Sequence, residues 1–334
     1  IKVGKDGALV AEVLTATGFA ALLGRSDEIS AIQIENVSLN AAALERLEAW
    51  NRPLAANAGT ALERITARQV RVVGAGMELP PFDAELSLAS DGTVRHIAVR
   101  AVDGSLSGAL VPSGTGLKIQ VQGQIWKAPF GLPLVFENLQ VKANAAPGRL
   151  QVEQFDALLY GGRVMGSGSL TWDGLWTAQG EAELVSVDLA ALFSAYLGDA
   201  PITGTLKSRM QLELAGRSLQ SLFEAPRLRG EFVVERGALT GVDLSQALRG
   251  GSAGSSRGET AFQQLTGSMV LAGHRYEFRN LSLAAGILSA SGTLEVAPDR
   301  SLSGGAQVEI RSETNPLRGY LAVKGSVTQP LARP

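Results

Sequence analysis

Long stretches of this chain alternate strictly between apolar and polar residues, and nothing else in the sequence restricts the fold as much. From 117 to 125 the odd positions are Leu117, Ile119, Val121, Gly123 and Ile125, whereas the even ones are Lys118, Gln120, Gln122 and Gln124. From 202 to 214, Ile202, Gly204, Leu206, Ser208, Met210, Leu212 and Leu214 alternate with Thr203, Thr205, Lys207, Arg209, Gln211 and Glu213. Leu317, Gly319, Leu321, Val323, Gly325 and Val327 repeat the pattern near the end. Successive side chains on a strand point to opposite faces, so each segment is apolar on one side and polar on the other. Alternation this clean specifies antiparallel strands with one wet face, not a parallel sheet covered on both.

Internal similarity extends the pattern. Phe136-Glu-Asn-Leu139 leads through Pro147-Gly148 to the stretch Gly162 to Leu170, and Phe262-Gln-Gln-Leu265 leads through Gly273 to Gly286 to Leu294. Phe82 to Leu86, Asp91-Gly92 and Gly104 to Leu110 form a looser third copy. Each unit reads as a three-stranded meander whose last strand is interrupted by Gly, a mark of a bulge, a bend or close backbone approach. The 39 glycines of the 334 residues suit many tight turns, because Gly reaches positive φ without steric cost.

About fifteen to twenty strands at roughly 4.8 Å each would span about 70–95 Å, and a flat sheet that wide is rare. The expected fold is therefore all-β with a few short helices. It is a long, curled antiparallel sheet of repeated meanders whose apolar face forms a groove; two packed sheets are the competing solution. Residues 1–78 read as an amino-terminal β-rich part with a possible helix at 41–50. Residues 79–334 read as the repeated meander region, with short helices near 188–197, 218–225 and 243–249. Asp188 ahead of Leu189, Leu192, Phe193, Tyr196 and Leu197 is an N-cap followed by helical spacing. The candidate groove residues are Leu117, Ile119, Val121, Ile125, Leu206, Met210, Leu212, Leu214, Leu294 and Val296.

Catalytic chemistry has little to work with. With no cysteine, disulfides, thiolate zinc sites and Cys nucleophiles are excluded. The two histidines, His96 and His274, lack the spacing of a metal site, and no cofactor or metal is expected. Gly250-Gly-Ser252-Ala-Gly254 has the letters of a nucleophile elbow, with Glu259 and His274 following in hydrolase order. It sits in a Gly/Ser loop instead of a strand-to-helix turn, so a connector is the expected reading and no enzyme activity is expected. A net charge of −2 without a basic run gives no footprint for nucleic acid. The apolar stretch from Val13 to Gly24 is too short to cross a hydrocarbon core of about 30 Å. The chain begins on a strand-like stretch at Ile1 without a signal-peptide pattern, and the expectation is a piece of a larger protein with any anchor upstream.

The residues resemble the AsmA-like family of bacterial envelope proteins, especially its carboxy-terminal region. The resemblance is carried by Gly237 to Leu248, the following Gly/Ser-rich loop, and Glu259 to Gly267. It continues through Gly286 to Leu294 and closes on Val323-Lys-Gly-Ser-Val327-Thr-Gln-Pro330; Leu79 to Leu86 and Leu159 to Gly162 are also similar. The likeness implies a periplasmic β-region tethered to the inner membrane of a Gram-negative bacterium by an amino-terminal helix missing from this chain. It further implies a role in outer-membrane biogenesis, with phospholipid or another acyl lipid carried along an apolar conduit as in bridge-like lipid transporters. Two other roles stay open: a β-sandwich scaffold, or an assembly factor that contacts envelope proteins through open sheet edges. An outer-membrane barrel would need aromatic girdles, for which the aromatics are too sparse.

Overall fold

The alternation is realised as a succession of hairpins. The computed structural model describes residues 2–3, 9–10, 13–17, 30–40, 62–73, 80–128, 134–218, 221–250, 258–313 and 315–334. Strand covers most of them, and the chain divides into two compact units. The expected helix at 41–50 lies outside the described residues.

The first unit comprises 1–157, 167–177 and 216–220. Its strands are β1 (Lys2–Val3), β2 (Leu9–Val10), β3 (Val13–Thr17), β4 (Ala31–Glu35), β5 (Ser38–Asn40), β6 (Arg64–Val73) and β7 (Phe82–Leu88). They continue with β8 (Val94–Ala101), β9 (Leu106–Ser113), β10 (Gly116–Lys127), β11 (Val135–Ala146) and β12 (Arg149–Leu159), whose last two residues fall in the second unit. From β6 to β11 each strand pairs antiparallel with the next. β4 and β5 depart from the antiparallel expectation, because both run parallel to β6. Parallel neighbours require a crossover connection. The register places Ile65, Leu86, Ile97, Leu110, Ile119 and Ala143 side by side in one row across six strands. Val37 and Val70 anchor one apolar cluster, and Leu88, Val94 and Ile97 another.

The second unit comprises 158–166, 178–215 and 221–334. β13 (Gly162–Thr171) and β14 (Trp176–Asp188) contribute to both units. Helix α1 (Leu189–Leu197) begins where the Asp188 carboxylate accepts the N–H groups of Ala190 and Ala191 at 2.8 and 3.2 Å. β15 (Thr205–Gly216) starts later than the alternation from Ile202 suggests, since Gly204 takes φ 119° and Ile202 makes only an isolated bridge to Leu239. The helix expected near 218–225 is a single 3-10 turn at Ser221–Phe223 among the described residues. Then follow β16 (Arg227–Thr240), helix α2 (Leu244–Arg249), β17 (Glu259–Ala272), β18 (Arg275–Ala285), β19 (Leu288–Val296), β20 (Leu302–Ile310), β21 (Leu317–Ser326) and β22 (Gln329–Arg333). From β15 to β22 each strand pairs antiparallel with the next.

Within this unit the sheet curls around α2. The helix packs against β17, β20, β21 and β22. Six residues span only about 9 Å, and on a flat sheet β17 and β22 would lie about 24 Å apart. The helix can touch both only if the sheet bends towards it. The close fit is visible at Gly319, where a Cβ would come within 2.6 Å of Leu248 Cδ1, and at Gly241, where one would lie 3.3 Å from Pro330. Leu244 and Ala247 are buried beneath the helix. The Thr260 hydroxyl, itself buried, fixes the entry to α2 by donating to the Val242 carbonyl at 2.8 Å and accepting the Leu244 N–H at 2.9 Å. Thr260→Val preserves shape but strands both backbone groups, and is expected to cost about 1–3 kcal/mol. Urea denaturation with an unchanged midpoint would show that water replaces the hydroxyl.

Candidate functional site

The apolar face of the second unit runs across six strands, and its register can be read row by row. One row runs Met210, Gly230, Met269, Phe278, Leu294 and Gly304. The next runs Leu212, Leu228, Leu271, Tyr276, Val296 and Leu302. All of these residues are half-buried. A third row, towards α2, runs Leu206, Val234, Leu265 and Leu283; all four are buried, and Val308, under the same helix, is 0% exposed. The face is therefore unevenly covered. It is packed shut along the Leu206 row, partly covered along the Met210 and Leu212 rows, and closed again at Leu214.

The sequence candidates fall on both the closed and the half-covered parts. Met210 and Leu294 share one row and Leu212 and Val296 the next, so the register joins residues more than eighty positions apart. Leu206 and Leu214 are buried at 7% and 6% exposure, deeper than their neighbours. The single-segment alternation missed Met269, Phe278 and Tyr276. Phe278 stacks on Tyr276 and meets Phe232 edge-on at 6.1 Å, which makes an aromatic centre on the half-buried rows. Burial pushes the Tyr276 phenol above its usual value, and nearby Tyr196 adds to the shift. The signal for these residues was the period-two spacing within β17 and β18, which two bulges interrupt.

In the first unit, Leu117 is buried opposite Pro112 and Ala145, and Ile119 and Val121 are half-buried on the same face. Ile125 is a correction. It is 75% exposed with φ 51°, and Trp126 takes the apolar side against Phe136, their rings stacked at 5.9 Å. The cause lies on the neighbouring strand. In register opposite Ile125 is Glu137, inside Phe136-Glu-Asn-Leu139, where Phe136 and Leu139 are both buried and the two residues between are exposed. The buried positions thus change parity in both strands at once. The same device recurs at Arg236, also at φ 51°, opposite Gln263 in Phe262-Gln-Gln-Leu265. A left-handed non-Gly residue is uncommon, and the repeated Phe-x-x-Leu spacing is its sequence mark.

The opposite face of the second unit is wet and charged. Lys207 meets Glu235 at 2.9 Å, Arg209 meets Glu183 at 3.7 Å, and Arg229 meets Glu213 at 3.8 Å, all in exposed settings. The Lys207 hydrogen bond, with the Lys207 charge behind it, holds the Glu235 carboxyl below its usual range. Exposed pairs of this type contribute roughly 0–1 kcal/mol, and they set which face is outward more than how stable the sheet is.

His96 lies on β8 opposite Ser87, and His274 is exposed in the turn between β17 and β18. Ser252 lies outside the described residues. Among the described residues no cluster of three His, Asp or Glu is placed to hold a metal, and no helix is long and apolar enough to cross a membrane. A shallow polar notch in the first unit is lined by Glu35, Asn36, Arg68, Gln69, Asp83 and Val102. There Asp83 accepts the Gln69 N–H at 2.9 Å and lies 3.5 Å from Arg68. No family model, curated protein or solved structure matches this chain.

Proposed function

We propose that this chain shelters acyl lipids on its half-buried apolar rows, as the periplasmic part of an AsmA-like, inner-membrane-anchored protein that moves lipid during outer-membrane biogenesis. The observation that supports the reading is the pair of half-covered rows in the second unit, where Met210, Leu212, Phe278, Leu294 and Val296 are apolar yet only partly buried. A packed core would bury such rows as fully as Val308 and Leu321, both 0% exposed. Each methylene removed from water contributes about 0.8 kcal/mol, so a chain of ten on this face gains about 8 kcal/mol before the costs of association. No specific polar site is needed to hold it. Headgroups would stay at the charged rim and in solvent.

A photo-reactive residue placed singly at positions 209 to 213 tests the reading. Lipid capture is expected at 210 and 212 and not at 209, 211 or 213, because neighbours on a strand point to opposite faces. The buried positions 206 and 214 should capture protein. If 210 and 212 also capture only protein, the face is a filled core. That outcome favours a second reading, a β-scaffold acting through protein contacts, which the buried residues under α2 already suit.

A further inference from the structure

The hairpin joining β13 to β14 ends in Trp172-Asp-Gly-Leu-Trp176, which holds two of the four tryptophans in the chain. The two indoles stack with centroids 5.6 Å apart and planes 26° from parallel. One rung back the hydroxyls of Thr171 and Thr177 meet at 2.6 Å, and the backbone N–H of Trp172 donates to the Gly148 carbonyl at 3.0 Å. The tip is thus held rigidly at its base. At its apex Leu175 is 58% exposed and Gly174 takes φ 85° to make the turn.

Position matters as much as composition. Trp172 follows Leu170 at the strand period, and the Thr171–Thr177 contact sets Trp176 across from Trp172. Both indoles therefore continue the apolar side of β13 to its last rung. We propose that this tip, which lies in the first unit, is a membrane-docking element that inserts into the headgroup region of a bilayer. The inference goes beyond the lipid-sheltering reading above: a chain that takes up acyl lipid must meet a lipid surface, but the tip's own chemistry carries the docking.

The chemistry favours a bilayer over a protein partner. Indoles with an apolar ring and a polar N–H settle at the headgroup level, while a leucine prong reaches the acyl boundary. A seven-residue tip with one apolar prong is far too small for a stable protein interface, which takes roughly 800 Å² per partner. A bilayer demands no shape complementarity. Asp173 is the one charged residue from 171 to 177, so docking draws on apolar and aromatic insertion and is insensitive to screening.

Co-flotation of the whole chain with phosphatidylcholine vesicles tests this. The wild type should float at both low and high salt. Leu175→Asp should lower the bound fraction about tenfold, equivalent to about 1.4 kcal/mol. Leu175 is exposed, so the circular dichroism spectrum should not change. In a Trp50→Phe, Trp126→Phe background, lipids brominated near the headgroup should quench the remaining fluorescence more than lipids brominated near the chain ends. Wild-type protein that stays with the unbound fraction overturns the proposal, and so does equal flotation of Leu175→Asp. Lipid capture at 210 and 212 needs no vesicle, which keeps the two readings separable. Loss of that capture with flotation intact would remove the sheltering reading and leave the docking tip standing.

Discussion

Leu321→Asp is expected to abolish cooperative folding of the second unit. Leu321 is 0% exposed, in register with Ala306, on the strand whose Gly319 receives Leu248 of α2. An unpaired carboxylate at this buried position must either stay charged in a dry setting or take up a proton. Breaking or burying a charge without compensation costs about 3–5 kcal/mol, a large part of the roughly 5–15 kcal/mol that a domain has in total. Hydrogen exchange over β20 and β21 should rise to the unprotected rate. Met210→Asp, on the half-covered rows, should cost about 1 kcal/mol or less because water reaches the new carboxylate. The pair of variants compares the sealed and the half-covered parts of the face directly. If both unfold the unit, the lower rows are as closed as the upper ones and the lipid-sheltering face loses its basis. If Leu321→Asp shifts the urea midpoint only slightly, α2 does not seal the sheet as its contacts imply.

Gly292→Val is expected to destabilise the same unit by about 3 kcal/mol, at the upper end for overpacking. Gly292 sits in β19 between Leu281 of β18 and Ala306 of β20. A Cβ there would meet the Gly305 carbonyl oxygen at 2.1 Å and Ala306 Cα at 2.8 Å. Both obstacles are backbone, so no rotamer change relieves the clash and the ladder itself must open. Ser291→Val, one residue away on the exposed side, should change stability by about 0.5 kcal/mol or less. Urea melts of the two variants therefore separate the close approach from any general intolerance of β19 to bulk. Equal midpoints for Gly292→Val and the wild type would mean that the strands stand further apart than their register indicates.

How much of this protein could be read from the chain divides along a physical line. Alternation is local: the opposite directions of successive strand side chains follow from backbone geometry alone. That is why Met210, Leu212, Leu294 and Val296 were placed on one face before any strand was paired, and why Asp188 marked the start of α1. The absence of cysteine and of paired histidines was likewise final from the sequence. The expected sheet of meanders is what the fold displays, all-β with few short helices.

Three features required the tertiary structure. The parity switch at Ile125 shows only across the ladder, where the buried positions of the neighbouring strand pass from Phe136 to Leu139 and switch with it. The start of β15 at Thr205 depends on the turn made by Gly204, which the letters from Ile202 onward do not reveal. The openness of the apolar face depends on what packs over it, since Leu206, Leu212 and Leu214 are the same residue type on the same face and differ in burial. Which of two identical side chains is sealed is settled by what the curl of the sheet brings over it. The sequence specifies which face is apolar; only the packing of distant elements decides how much of that face remains within reach of a ligand.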